Sequence, residues 1–207
     1  ADYVASRVDF VQDHKIGFAV AIVVLLTLMN LRGVRESGTA FAIPTYAFMI
    51  GVFALIGWGF TRVGVFGDEL RAPSAGYTVL PHEGYESLTG LALAFLVLRA
   101  FSSGCAALTG VEAISNGVPA FRKPKSRNAA TTLLMLGLIS VTMFAGVLAL
   151  GRISDTRFAE DADHLIGPDG NPVEAQDPII AQVSSAVFGD HSLGFTYVTV
   201  ATALILF

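Results

Sequence analysis

The sequence predicts an all-α integral membrane protein, and three observations support this class. Only 14% of the residues are charged, whereas 53% are hydrophobic. A soluble domain carries about a quarter charged residues. The apolar residues are gathered in long blocks, and the mean hydropathy is +0.63. We therefore expect most of this chain to lie within a lipid bilayer.

The composition also excludes several other classes of protein. A net charge of -4 argues against a nucleic-acid partner, because the phosphate backbone requires a basic protein face. The single cysteine, Cys105, excludes an internal disulfide framework. The histidines lack the spacing of metal ligands, and neither a phosphate-binding loop nor a nucleophile elbow is present. We expect no enzyme activity, no cofactor and no resident metal ion.

The apolar blocks predict five membrane helices, at about residues 16–31, 40–60, 90–116, 129–150 and 194–207. A span needs about 20 residues, so the first is slightly short. The chain begins with Ala1 rather than methionine, and it stops at Phe207 within an apolar run. We therefore expect residues 1–207 to be one partial transmembrane domain of a larger protein.

Glycine and proline predict the boundaries around the second helix. Gly33 and Gly38 are expected to break the chain into a short connection at residues 32–39. Pro44 is expected in the first turns of the helix, where its missing N–H is least costly. Small residues allow close helix packing, and three are expected to do so here: Gly51, Gly57 and Gly59.

Residues 151–193 are predicted to form a long polar excursion. The residues PDG and NP within it mark turns. Apolar residues at helical spacing predict a short amphipathic helix lying over the protein or the interface: Ile179, Ile180, Val183, Ala186 and Val187.

Charge placement predicts the orientation of the chain in the membrane. Loop 117–128 has no acid and carries four basic residues: Arg122, Lys123, Lys125 and Arg127. The positive-inside rule therefore makes it cytoplasmic. Loops 61–89 and 151–193 lean acidic and fall on the extracellular side, while loop 32–39 falls inside.

The chain is organised around residues 91–119, which begin as an ordinary apolar helix and then become polar. Ser103, Thr109, Gly110 and Glu112 interrupt the apolar pattern. In a bilayer each unsatisfied backbone group costs several kcal/mol, so irregular backbone requires surrounding protein or a polar cavity. Interrupted helices of this kind build the substrate sites of secondary transporters. We expect Thr109 and Glu112 to face such a cavity and to bind a cation.

Physical chemistry supports these residues as cation ligands. A charge at the centre of a membrane helix costs about 2.5–3.5 kcal/mol, so it usually faces the interior of a helix bundle. Hydroxyl, carboxylate and freed carbonyl oxygens suit a hard monovalent cation. Ser103 is a weaker candidate, and unwinding at Gly110 would add carbonyls from residues 107 and 108. A glutamate in a low-dielectric cavity can also keep its proton and carry it.

Each candidate also has a purely structural interpretation. Glu112 can form an ion pair near the cytoplasmic boundary, for example with Arg127. Thr109 can bond back to the preceding helical turn. Ser103 can be a packing hydroxyl between helices.

Two stretches resemble a known family: NLRGVRESGTAFAIPTYAF at 30–48 and RAFSSGCAALTGVEAISNGVPAFRKPKSRNA at 99–129. They are similar to amino acid/polyamine/organocation (APC) superfamily permeases, and most similar to the KimA-type potassium–proton symporters. Gly110, Val111 and Glu112 match the superfamily's Gly-aromatic-Glu step in the sixth helix, with valine replacing the aromatic residue. A basic loop follows that step, as in the superfamily.

The resemblance implies a fold, an activity and partners. It implies helices 4 to 8 of an APC/LeuT-type fold with two inverted five-helix repeats and a discontinuous sixth helix. It implies potassium uptake coupled to protons across the plasma membrane, with Thr109 and Glu112 in the cation and proton path. It further implies a homodimer, and site residues on helices of the same protein that are absent here.

Two alternatives remain open at this stage. An amino acid permease of the same superfamily would hold its substrate carboxylate with backbone N–H groups at a half-helix N-terminus. The break reads CAALTGVE, with oxygen ligands and no aromatic gate, which favours a metal ion. The other alternative is a membrane component that does not transport, for which Glu112 would be dispensable.

Overall fold

The computed structural model describes residues 15–31, 34–81, 89–105 and 109–206. Its seven described α-helices are α1 Lys15–Leu31, α2 Val34–Thr61, α3 Leu91–Cys105, α4 Thr109–Asn116, α5 Lys125–Ile153, α6 Ile179–Phe188 and α7 Leu193–Leu206. The shorter elements are a π-helical turn at Arg62–Phe66, 3-10 turns at Val118–Ala120 and Ala162–His164, and strands β1 Thr78–Val79 and β2 Leu165–Ile166. The described chain is therefore mostly helical, as the composition predicts.

Two helical stretches are long and apolar enough to cross a membrane, Ala42–Phe66 and Lys125–Ile153. A third qualifies if the helices Leu91–Cys105 and Gly110–Asn116 form one bent span. The 17-residue α1 and the 14-residue α7 are shorter than these.

The predicted start of the second helix is wrong, because α2 begins at Val34 rather than at 40. Most of the predicted connection 32–39 is therefore helical, including Gly38. A single glycine costs about 1 kcal/mol relative to alanine, which a long helix tolerates. Pro44 consequently lies inside α2 and not in its first turns. It removes one backbone hydrogen bond there, and its ring crowds the carbonyl of Ala40.

The helix predicted at 129–150 is also longer than expected, because α5 runs from Lys125 to Ile153. The N–H of Asn128 donates to the carbonyl of Pro124 at 3.1 Å, which forms the first turn. Proline is accepted at a helix start because no N–H is needed there. The basic loop therefore ends at Pro124, and Lys125 and Arg127 belong to the helix.

The described chain forms two compact units, Ala1–Thr78 with Gly146–Phe207, and Val79–Ala145. The first unit has a single apolar core between α2, the end of α5, α6 and α7. This core is formed by Leu55, Leu70, Leu150, Val183, Val187 and Val198.

Glycines set the distance between helices in the first unit. A methyl group at Gly59 would lie 2.8 Å from both methyl carbons of Leu150 and 3.1 Å from Val187. A methyl group at Gly51 would lie 2.9 Å from the ring of Tyr197. Gly57 is different, because no described residue lies within 4 Å of that position. The prediction of close contact is therefore confirmed for Gly51 and Gly59, and the described residues show no such contact at Gly57.

The predicted short helix in the polar excursion is α6, but its burial differs from the amphipathic pattern. Val183 and Val187 are buried as predicted, whereas Ile179 is 44% exposed. Gln182 and Ser184 are buried instead. The helix is therefore embedded in its surroundings, because the loops before and after it cover its polar side.

A buried glutamine joins those loops to α6. The Gln182 Nε2 atom donates to the carbonyls of Asp177 at 2.7 Å and Arg157 at 3.4 Å. The hydroxyl of Ser74 donates to Gln182 Oε1, and the N–H of Arg157 donates to Ser74 Oγ at 2.8 Å. Gln182 is 2% exposed and Ser74 4% exposed. These bonds satisfy polar groups that would otherwise be costly to bury.

The end of α6 is bound to the end of α2 by Arg62. Its Nη1 atom donates to the carbonyl of Val187 at 2.7 Å and to that of Ala186 at 3.4 Å. Its Nε atom donates to Asp68 Oδ2 at 2.7 Å. A cation is favourable at a helix C-terminus, where the last carbonyls carry partial negative charge. Arg62 therefore both caps α6 and anchors it.

The predicted turn within the excursion is confirmed next to β2. Gly170 has a φ of +78, and Ile166 pairs with Pro172 across the turn. The side-chain amide of Asn171 donates to Asp169 Oδ2 at 3.1 Å. This hydrogen bond lowers the pKa of Asp169 below its ordinary value.

We predict that Gly59→Ala destabilises the protein, whereas Gly57→Ala does not. The added methyl at position 59 overlaps Leu150, and overpacking of this kind costs about 1–3 kcal/mol. At position 57 no described residue is close enough to clash with a methyl group, so alanine should stabilise the helix through its higher helix propensity. Thermal unfolding of the full-length parent protein in detergent measures both variants. Equal melting temperatures for the two variants would contradict this account of the packing.

We also predict that Gln182→Leu lowers the melting temperature. Leucine fits the volume but leaves the hydroxyl of Ser74 and the carbonyl of Asp177 without their partner. Ser74 is buried, and a buried polar group without its partner costs about 1–3 kcal/mol. Glu174→Gln, in the same excursion but exposed, is the matched control and should leave the melting temperature unchanged. A Gln182→Leu protein as stable as its parent would show that the network adds nothing to stability.

Candidate functional site

The helix α3 supplies the first part of the predicted site. Its side chains are largely exposed in the described part of the protein, including Phe95 at 72% and Phe101 at 70%. Ser103 is exposed in the last turn, before the helix ends at Cys105. The last carbonyls of any helix have no partner within it.

The helix α4 supplies the second part of the site. It begins at Thr109, and Glu112 lies in its first turn. Gly110 is therefore helical, so of the two alternatives left open at this position the helix persists through Gly110. The propensity cost of one glycine is small enough for a helical turn to include it. Residues 107 and 108, whose carbonyls were proposed as ligands, lie outside the described residues, as does the side chain of Thr109.

The two helices differ in direction. The axes of Leu91–Cys105 and Gly110–Asn116 are bent by 51° relative to each other. This bend falls in the stretch where the sequence departs from an apolar helix. Such a pair is either one broken span or a re-entrant loop, and both structures place polar residues at membrane depth.

Packing within the second unit orients Glu112. A methyl group at Gly110 would lie 3.4 Å from Leu136 of α5, so this side of α4 faces α5. Val111 and Ile114 are half-buried. Successive helical residues are rotated by 100°, which places Glu112 on the side opposite Gly110. Glu112 is accordingly exposed, and it makes no salt bridge with Arg127 or any other described residue.

The predicted candidates are distributed on both sides of the bend. Positions 109 and 112 are one turn apart on α4, and Ser103 lies in the final turn of α3. A carboxylate, hydroxyls and terminal carbonyls are the oxygen ligands that suit a hard cation. Within the described residues no group of three or more His, Cys, Asp or Glu could hold a metal ion.

A large groove in the first unit has a different character. Its volume is about 670 Å³, and it lies between α2 and α7. Tyr197 and Gly51 line it, and the hydroxyl of Tyr197 donates to the carbonyl of Ala47 at 2.9 Å. The remaining lining is mostly aliphatic or aromatic, so it offers few oxygen ligands. This groove is therefore not the predicted cation site.

Sequence reasoning missed the polar side chains that connect the loops of the first unit to its helices. Arg62, Ser74 and Gln182 are separated widely in the sequence, and no motif joins them. The only local signal is Asp68, which follows Arg62 across a glycine-rich turn. These residues support the fold and do not touch the predicted site residues in any described contact.

Comparison with known proteins identifies the chain's relatives. A family model described as amino acid permease matches residues 1–207. The potassium transporter KimA of Bacillus subtilis (strain 168) is 34% identical over 209 residues, which cover 99% of this chain. The chain spans 30% of the length of that curated relative. The chain therefore belongs to the amino acid permease family.

Proposed function

We propose that this chain is part of a secondary transporter that takes up potassium together with protons. The observation that carries the proposal is its 34% identity, across 99% of its length, to a protein named as a potassium transporter. The matched region includes the whole bent segment with Ser103, Thr109 and Glu112. A gradient-driven mechanism agrees with the absence of a phosphate-binding loop from the sequence.

The proposed architecture is part of an inverted five-plus-five helix repeat in the plasma membrane. Residues 1–207 form a single partial transporter domain that corresponds to helices 4 to 8, and the bent pair α3 and α4 is the discontinuous sixth helix. Loop 117–128 is cytoplasmic, while loops 61–89 and 151–193 are extracellular. The signs of the loop charges support this arrangement. The missing helices of the same protein complete the site, and two copies form a homodimer.

Glu112, Thr109 and Ser103 are proposed as cation ligands. Exposure of Glu112 supports this role, because an acid on an apolar membrane segment requires a polar partner. The side of α4 that carries Glu112 faces away from α5, so it is available to helices outside this chain. Ser103 is the weaker candidate, since it lies on the other helix.

Glu112 is also proposed as the proton carrier. It takes up a proton on the extracellular side and releases it on the cytoplasmic side, while the hydroxyl and carbonyl oxygens retain the potassium ion. A protonated Glu112 is neutral, so the side chain by itself is less costly to hold in a low-dielectric region than the carboxylate. Proton and potassium then move in the same direction.

An amino acid permease is the second candidate, because the matching family model carries that description. Such a site binds a substrate carboxylate at a half-helix N-terminus. Here the break reads CAALTGVE, with oxygen ligands and no aromatic gate. This composition favours a cation over an amino acid.

We predict that Glu112→Gln abolishes potassium uptake. The amide keeps the size of the side chain but removes both the negative charge and the exchangeable proton. Uptake of rubidium as a potassium tracer is measured for the full-length parent protein in cells that lack their own potassium importers. Thr109→Ala should reduce uptake less than Glu112→Gln, because only one neutral ligand is lost.

The matched control is Glu160→Gln, an exposed acid in the polar excursion, which should leave uptake unchanged at equal surface expression. Full uptake by Glu112→Gln would reduce this residue to a structural acid. No potassium uptake by the parent would shift the assignment to amino acids, which are then tested with labelled substrates. Failure with both substrate classes would indicate a component that does not transport.

We further predict that position 112 is accessible from a water-filled cavity. In a cysteine-free full-length parent, Glu112→Cys should react with a charged thiol reagent at least tenfold faster than Ile114→Cys. The reason is that Ile114 is half-buried on another side of α4. Potassium should slow the reaction at position 112, and choline should not. Equal rates at the two positions would contradict the orientation of α4.

A further inference from the structure

A strongly basic surface lies where α5 begins. We define it as Arg122, Lys123, Lys125 and Arg127, all of which are exposed. Residues 117–128 contain no acid. None of the four makes a salt bridge with another residue in the described ranges. The positive-inside rule accounts for the sign of these charges, but not for how they are held.

This basic surface is folded onto the helix. The Lys125 ammonium donates to the carbonyl of Pro119 at 2.5 Å. The side-chain amide of Asn128 donates to the carbonyl of Arg122 at 2.9 Å. The 3-10 turn Val118–Ala120 shortens the connection further. The backbone of the loop is therefore tied to the first turn of α5, and the cationic side chains are gathered in one place.

The helix itself adds to the positive potential at this surface. The N-terminus of a helix carries partial positive charge, and acids usually compensate it. The first turn of α5 contains no acid and instead carries Lys125. The nearest carboxylate before it in the sequence is Glu112 on α4. An external anion would therefore relieve repulsion among these charges.

The position of the surface along α5 indicates which anion. Exposed apolar side chains begin at Leu134 and continue through Leu138 and Val141. Leu134 follows Arg127 by two helical turns, or about 10 Å. The headgroup layer extends about 5–8 Å beyond the hydrocarbon core, so a basic side chain needs to extend only a few ångströms along the helix to bring its charge to the level of lipid headgroups. The occupant that this geometry fits is therefore the headgroup of a membrane lipid.

We propose that this basic surface binds the headgroups of anionic phospholipids. The guanidinium groups of Arg122 and Arg127 suit a phosphodiester, because each can donate two hydrogen bonds to it. Lys123 contributes a point charge, and Lys125 holds the loop in place. The binding depends on the protein being in a membrane, but not on which substrate it transports.

Lipid retention by the full-length parent protein tests this proposal. The purified protein is incubated with equal amounts of phosphatidylglycerol and phosphatidylcholine, and the retained lipids are counted by native mass spectrometry. The test variant is the triple substitution R122Q/K123Q/R127Q, which leaves Lys125 intact. The control is R71Q/R152Q/R157Q, which removes three exposed basic residues elsewhere. Each basic residue near an anionic membrane surface is worth about fivefold in affinity.

We expect the ratio of retained phosphatidylglycerol to phosphatidylcholine to fall at least tenfold in the test variant. The control should retain the ratio of the parent. Equal ratios in parent and test variant, or an equal loss in the control, would overturn the proposal. Displacement of phosphatidylglycerol by millimolar inorganic phosphate would also overturn it, since the site would then take free anions. If the triple variant does not insert, the single variants at the same three positions should each lower the ratio about fivefold.

Discussion

The interior of a bilayer offers no water to backbone N–H and C=O groups, and this constraint dominates the segment from α3 to α4. A helix that ends at membrane depth must place its terminal groups against protein or in a polar cavity. Here α3 ends at Cys105 and α4 leaves in a direction bent by 51°. The contact between Gly110 and Leu136 then turns Glu112 away from α5. The bend sets the direction of α4, and the closeness of Gly110 to Leu136 sets which side of α4 carries Glu112 away from α5.

The first unit meets the same constraint in a different way. In its apolar cluster Leu150 fills the space against Gly59. Polar side chains such as Gln182 and Ser184 are buried beside that cluster. Gln182 bonds to carbonyls of the surrounding loops, and Arg62 bonds to the last carbonyls of α6. The contacts of this unit support the fold. The large groove between α2 and α7 offers too few oxygen atoms to bind a cation.

The polar excursion at 151–193 is acidic, whereas the surface at the start of α5 is basic. Each region has its own hydrogen bonds. The acidic excursion is joined by neutral side chains such as Gln182 and Ser74, so many of its carboxylates remain exposed. The basic surface is held by Lys125 and Asn128, which fix the backbone and leave the other cations free to meet an anion. In each region the local hydrogen bonds decide which charged groups remain available.

The sequence by itself determined the membrane class, because composition and long apolar blocks reflect the solvent in which a chain folds. It also located the interrupted helix, the turn at Gly170 and the short helix near Val183, since these depend on residue types close together in the chain. Only the tertiary structure decided that α2 continues through Gly38 and Pro44, that Gly110 is helical, and that Gly59 is packed while Gly57 is open. At Gly59 and Gly110 the neighbours are Leu150 and Leu136, which are distant in sequence. Helix propensity disfavours glycine by only about 1 kcal/mol and proline by about 3 kcal/mol, so the context of a long helix can override both.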